Sequence, residues 1–151
     1  LENSDLVFAK NSIFFSNNRN EIFSIDGKSG IVIWKQAVSS SLRPIIIDNL
    51  VFSISENGYL IVIELSSGNI IRASNIFKNI KNKKKLIKPT GFIIAKGKAY
   101  VSLNNGKLIK INILDGSIDN IYKIAGSKIL GPFVFNKKIY LLNENKIIQF
   151  K

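Results

Sequence analysis

Glu21-Ile-Phe-Ser-Ile-Asp-Gly-Lys-Ser-Gly30 returns as Tyr59-Leu-Ile-Val-Ile-Glu-Leu-Ser-Ser-Gly68, and again as Lys107-Leu-Ile-Lys-Ile-Asn-Ile-Leu-Asp-Gly116. In each copy a run of strong β formers leads into an Asp, Glu or Asn, a short turn and a glycine. A fourth copy starts at Lys146-Ile-Ile-Gln-Phe150 and runs to the end of the chain. The upstream halves repeat too: Pro44-Ile-Ile-Ile-Asp-Asn-Leu-Val-Phe52 has the spacing of Pro132-Phe-Val-Phe-Asn-Lys-Lys-Ile-Tyr140. Leu6 to Phe14 has the same shape without the proline, and Pro89 opens the third copy. The period is about 40 residues, the length of one four-stranded propeller blade.

Each copy reads as four strands joined by three turns. In the second copy these are Ile45–Ile47, Leu50 to Ser55, Tyr59 to Leu65 and Asn69 to Ala73. Asn57-Gly58, between the second and third strands, predicts a type I′ hairpin, which needs positive φ at both central residues. Asn105-Gly106 takes that place in the third copy, Arg19-Asn20 in the first, and Glu144-Asn145 in the fourth, one residue earlier. No segment carries a helical period with caps. Regularly spaced short strands fit a sandwich, a barrel or a propeller. Repetition of whole strand quartets selects the propeller, because a sandwich has no need for each quartet to copy the last. The expected fold is all-β: about four blades, the last incomplete, with repeats over residues 5–43, 44–88, 89–131 and 132–151.

The bulk composition narrows the function classes. The chain has 151 residues, 46% of them apolar, enough for one core. Its apolar runs are short and broken by charges, so no segment reaches the roughly 18 apolar residues of a membrane-spanning helix. There is no Cys and no His. Thiol nucleophiles, disulfides, Ser-His dyads and the usual zinc ligands are therefore excluded. Leu1 at the start and the absence of Met lead us to expect a fragment or processed product. The net charge of +12 comes from 22 basic and 10 acidic residues in a chain rich in Lys, Asn and Ile throughout. It is read chiefly as a solubilising surface.

The stretch from Ser24-Ile-Asp26 through Ser29-Gly30-Ile-Val-Ile-Trp34 resembles the repeat of pyrroloquinoline-quinone enzymes and their non-enzymatic relatives, roughly Ala-x-Asp-x-x-Thr-Gly-x-x-x-Trp. The second copy keeps Glu64, Ser67 and Gly68 but has Arg72 in place of Trp. The third keeps Asp115 and Gly116, with Asn112 at the Asp position and Asn120 at the Trp position. The resemblance implies a structural role for Asp26, Gly30, Trp34, Glu64, Gly68, Asp115 and Gly116, with Trp34 docking one blade on the next. It also implies a parent ring of about seven or eight blades. Half of such a ring would leave blade faces unpaired, which invites self-association.

No catalytic, cofactor-binding or metal-binding residues emerge, since no carboxylate pair recurs at a spacing that would face across a site. The one compositional anomaly is Phe77 to Lys88, carrying Lys78, Lys81, Lys83, Lys84, Lys85 and Lys88. It is read as a solvated inter-blade loop, with an acidic partner as the functional alternative and nucleic acid disfavoured, because Arg is absent and only Phe77 is aromatic. The resemblance is nearest to the non-enzymatic BamB-like lipoprotein propellers of outer-membrane barrel assembly. It implies a scaffold for protein–protein interaction in the periplasm or cell envelope, without a cofactor. A fragment of a quinone-dependent dehydrogenase, holding pyrroloquinoline quinone with calcium, is the alternative.

Overall fold

The computed structural model describes residues 3–81 and 86–151. Every regular element among them is a β-strand. Strands β1 (Val7–Ala9), β2 (Ser12–Asn17), β3 (Glu21–Asp26) and β4 (Val32–Gln36) form the first blade in sequence order. Strands β5 (Ile45–Ile47), β6 (Leu50–Ile54), β7 (Tyr59–Glu64) and β8 (Ile70–Asn75) form the second. The third contains β9 (Pro89–Ala95), β10 (Lys98–Leu103), β11 (Lys107–Asn112) and β12 (Ile118–Lys123). The fourth sheet has three strands, β13 (Leu130–Phe135), β14 (Lys138–Asn143) and β15 (Lys146–Phe150). Every pairing between these strands is antiparallel. The protein is thus an all-β partial propeller. Its fourth sheet starts at Leu130, two residues ahead of Pro132, where the sequence pattern begins.

Contacts divide the chain into two compact units, Leu1–Asn75 and Ile76–Lys151. In the first, Phe14, Ile22 and Trp34 of blade 1 and Val38 of the connection pack against Val51, Ile61 and Ile63 of blade 2. The alternation of strand side chains explains this core. Residues two apart share a face, so Val51 on β6 and Ile61 and Ile63 on β7 point together toward blade 1. In the second unit Leu108, Ile129 and Leu141 are fully buried, with Tyr100, Tyr122, Ile148 and Phe150 around them. Each such aliphatic side chain contributes roughly 1.5–3 kcal/mol by leaving water. The innermost strands of blades 3 and 4 also approach closely. A Cβ on Gly91 would lie 1.9 Å from the Gly131 carbonyl oxygen, and the Thr90 hydroxyl donates to the Ile129 carbonyl at 2.6 Å.

The hairpins correct one expectation. Gly58 and Gly106 have φ of 84° and 81°, but Asn57 and Asn105 are absent from the positive-φ residues, so neither turn is type I′. Instead the Gly58 amide donates to the Ser55 carbonyl at 3.0 Å and the Ser55 amide to the Tyr59 carbonyl at 2.9 Å. That pattern is a type I turn closed by a left-handed glycine, in which only the last residue needs positive φ. Asn20, at φ 66°, takes the glycine's place in blade 1. The type I′ geometry belongs to the first hairpins of blades 1, 3 and 4, where Lys10-Asn11, Lys96-Gly97 and Asn136-Lys137 have positive φ at both positions; in the first hairpin of blade 2 only Asp48 does.

Candidate partner-binding groove

The repeated turn after the third strand is built the same way three times. The Gly30 amide donates to the Asp26 carbonyl at 2.9 Å, Gly68 to Glu64 at 2.9 Å and Gly116 to Asn112 at 2.8 Å. All three glycines have φ between 72° and 75°, in the left-handed region that disfavours a Cβ. The pairing of the third strand with the fourth shifts register at the same place in each blade, between Ser24 and Ile25, Val62 and Ile63, and Lys110 and Ile111 of the third strand. The side chain at the acidic position organises the turn. Asp26 Oδ1 accepts from the Ser29 amide at 2.7 Å, the Ser29 hydroxyl at 2.8 Å and the Lys28 amide at 3.1 Å. Those bonds, the Ser29 amide foremost, hold the Asp26 carboxyl below the ordinary aspartate range. The Ser67 hydroxyl donates to Glu64 in the second copy. In the third, Asn112 accepts the Leu114 amide, and Asp115 accepts both the amide and the hydroxyl of Ser117.

Trp34 extends from this turn to the next blade. Its indole N–H donates to the Leu65 carbonyl at 2.7 Å, and a Cβ on Gly68 would meet the ring at 2.6 Å. Phe14 lies 6.0 Å away, tilted against it. Copies two and three differ: Arg72 is half-buried and Asn120 is exposed. Aromatic packing in the second unit moves to other positions, where Tyr100 and Tyr122 meet Phe150 edge-on at 6.0 and 4.8 Å.

Of the lysine segment, Lys78, Lys81 and Lys88 are exposed, and Lys83, Lys84 and Lys85 lie outside the described residues. The two salt bridges found among the described residues, Lys35–Glu21 and Lys98–Asp119, do not involve these lysines.

A concavity with no signature in the repeat pattern lies within the first unit, where loops of blades 1 and 2 meet. It encloses about 450 Å³. Asn20 comes from the β2–β3 turn, and Ala37, Val38 and Ser39 from the β4–β5 connection. Ser55, Glu56 and Asn57 come from the β6–β7 turn, with Tyr59, Ile61 and Ala73 from the strands beyond. The rim is held by one backbone bond and one side-chain cap: the Glu56 amide donates to the Ser39 carbonyl at 2.9 Å, and the Tyr59 amide to the Ser55 hydroxyl at 2.9 Å. The result is a concavity with the buried Val38 and Ile61 at its apolar base and a polar lining that includes one carboxylate, Glu56. Such a surface suits an apolar side chain on an extended loop or peptide, flanked by a polar or basic residue. Asn57-Gly58 was the only local signal for it, because the other walls come from residues distant in sequence.

Among the described residues no group of three or more Asp or Glu side chains converges as metal ligands. No helix is long and apolar enough to cross a membrane among the described residues.

Comparison with known proteins places the repeats. A family model described as outer membrane protein assembly factor BamB matches residues 2–74. Among solved structures, BamB from Moraxella catarrhalis superposes with a TM-score of 0.75 at 13% identity, covering 97% of this chain and 41% of that one. The computationally designed Ika4 protein gives 0.76 at 14% identity, covering 96% of this chain and 88% of its own. Quinohemoprotein alcohol dehydrogenase from Comamonas testosteroni gives 0.65 at 16% identity, covering 79% of this chain and 20% of the enzyme. The chain therefore spans about two fifths of that BamB's length. A search of curated protein sequences finds no significant match.

Proposed function

We propose that this chain, a member of the pyrroloquinoline-quinone-type repeat propellers, is a non-catalytic scaffold that binds a protein partner through the groove between its first two blades. The observation that carries this reading is the groove itself. It is concave and apolar-floored, fixed by a backbone bond between two rigid sheets, and lined by loops, where propellers present variable surface. The family model over residues 2–74 spans both blades that form it. Its description as an outer membrane protein assembly factor supports a partner in bacterial outer-membrane protein assembly, and with it a place in the periplasm or cell envelope. The exposed Lys78, Lys81 and Lys88 would steer an acidic partner, the electrostatic part acting on encounter more than on affinity.

The likeness to the alcohol dehydrogenase supports a second reading, a piece of a quinone enzyme. One titration series separates the two. The chain is titrated by calorimetry with purified outer-membrane assembly components, and by Trp34 fluorescence with pyrroloquinoline quinone and calcium. The scaffold reading expects saturable binding to a protein component, weakened at least tenfold by Glu56→Lys. Saturable quenching by quinone with calcium, and no protein binding, would instead make the chain part of an oxidoreductase.

A further inference from the structure

The positive charge of the chain belongs to one of its two units. Ile76–Lys151 holds 16 of the 22 basic residues, all of them Lys, and 3 of the 10 acidic ones, a net +13. Leu1–Asn75 holds the other 6 and 7, a net −1. Lysines spread for solubility would charge both units alike. The three carboxylates of the second unit are unevenly placed as well. Asp115 lies in the β11–β12 turn, and Asp119 near the start of β12 pairs with Lys98 at 2.6 Å. Both belong to the end of blade 3 away from the β10–β11 turn. Glu144, in the β14–β15 turn of blade 4, accepts the Ser127 hydroxyl at 3.4 Å.

Cations collect at the other end of blade 3. Pro89 pairs with Leu103, so the chain enters this blade beside the β10–β11 turn. Asn104 of that turn clamps the entering segment. Its side-chain amide donates to the Leu86 carbonyl at 3.0 Å, and its side-chain oxygen accepts the Lys88 amide at 2.9 Å. Its backbone amide donates to the Lys88 carbonyl at 3.0 Å. Held in this way, Leu86 is 75% exposed, with the exposed Lys88 beside it. Lys78 and Lys81, earlier in the same segment, are exposed too. Lys107 of β11 pairs directly with Lys123 of β12, and like charges directly opposite repel. None of these five lysines takes part in either salt bridge found among the described residues. The surface is defined without Lys83, Lys84 and Lys85, which lie outside those residues.

Point charges without arginine suit many loosely placed phosphates, and an aliphatic side chain standing among them suits an apolar phase just beneath. A bilayer with anionic headgroups offers both together. A nucleic-acid strand would call for exposed aromatic rings, and Phe77, the aromatic of this segment, is half-buried. An acidic protein loop would match the lysines and leave Leu86 without a purpose.

We propose that this end of blade 3 docks on an anionic phospholipid bilayer. Lys78, Lys81, Lys88, Lys107 and Lys123 meet headgroup phosphates, and Leu86 enters the acyl boundary. The inference rests on the reading of the exposed lysines as a steering surface, whose acidic partner it names. It is independent of the groove, which lies in the other unit.

The test is co-flotation of the whole chain with vesicles of phosphatidylcholine, alone or mixed with phosphatidylglycerol, over a range of salt. Binding is expected only where phosphatidylglycerol is present, and it should weaken as salt rises. A Lys78→Gln, Lys81→Gln, Lys88→Gln variant should bind about tenfold more weakly or worse, and Leu86→Ser, with its charge unchanged, about fivefold more weakly. Lys10, Lys28 and Lys138 are exposed at turns on the opposite ends of their blades. Changing these three to Gln removes the same charge and should alter binding by about twofold at most. Each variant is compared at a wild-type far-ultraviolet spectrum. Glu56→Lys should not weaken vesicle binding, so a failure of the groove and a failure here are seen separately. No binding to the anionic vesicles at low salt overturns the proposal, as do equal losses in the two triple variants. Binding unchanged by Leu86→Ser, or equally tight binding to a single-stranded DNA oligonucleotide, makes the surface a general polyanion site and overturns the lipid assignment.

Discussion

The indole of Trp34 rests on the backbone of Gly68, close enough that a Cβ there would lie 2.6 Å from the ring, while its N–H bonds the Leu65 carbonyl at 2.7 Å. One residue of blade 1 thereby engages the repeat turn of blade 2 twice, by shape and by a hydrogen bond. Gly68 answers two demands at once: a left-handed backbone and a flat seat for the ring.

Gly30 makes the control, having φ of 72° and nothing within 4 Å of an added Cβ. Gly30→Ala should lower stability only by the left-handed backbone term, about 1–2 kcal/mol. Gly68→Ala adds a clash with the indole and should cost about 1–3 kcal/mol more. Urea titrations of both variants check the difference, and equal losses would contradict the seating of Trp34.

Trp34→Phe keeps a ring but removes the N–H. It should cost about 1 kcal/mol or more by leaving the Leu65 carbonyl without its donor, while Trp34→Ala should cost about 3–5 kcal/mol through the cavity. Thermal unfolding of the two variants measures the separation.

Asp26 sets a pH dependence of definite sign. Its native pKa is lowered by the Ser29 amide, the Ser29 hydroxyl and the Lys28 amide, so on acidification the unfolded chain takes up its proton first. Its contribution is fully present above the ordinary aspartate value, about 3.9, and is lost as pH falls through the lower native value. Asp26→Asn should be less stable than wild type at pH 7, and the gap should narrow below about pH 4. A gap independent of pH would mean the carboxylate charge plays no part in the turn.

Strand order and the glycine turns were legible in the sequence because local chemistry fixes them. Alternating Ile, Val, Phe and Tyr need a buried sheet face, and Asp26 with Gly30 needs one particular turn. The hairpin type was not legible. Asn57-Gly58 suits a type I′ turn, but here the Ser55 hydroxyl caps the Tyr59 amide and the strands close one residue further apart. The groove was not legible either, since Asn20, Ser39 and Glu56 meet only after two blades have packed.

The turn chemistry gives a stabilising prediction. Lys137 has φ of 61° in the type I′ turn that it shares with Asn136, a conformation that costs a side chain bearing a Cβ. Lys137→Gly gives the preferred Asn-Gly pair and should raise stability by about 0.5–1 kcal/mol, read as an increase in Tm. A fall in Tm would contradict the assigned turn.

The central claim is that this chain works through a protein-binding groove between its first two blades. Hydrogen–deuterium exchange with and without a bound outer-membrane assembly component tests it most directly. Slowed exchange is expected at residues 37–39 and 55–59, and Glu56→Lys is expected to abolish it. Protection elsewhere, with these amides unchanged at saturation, would contradict it.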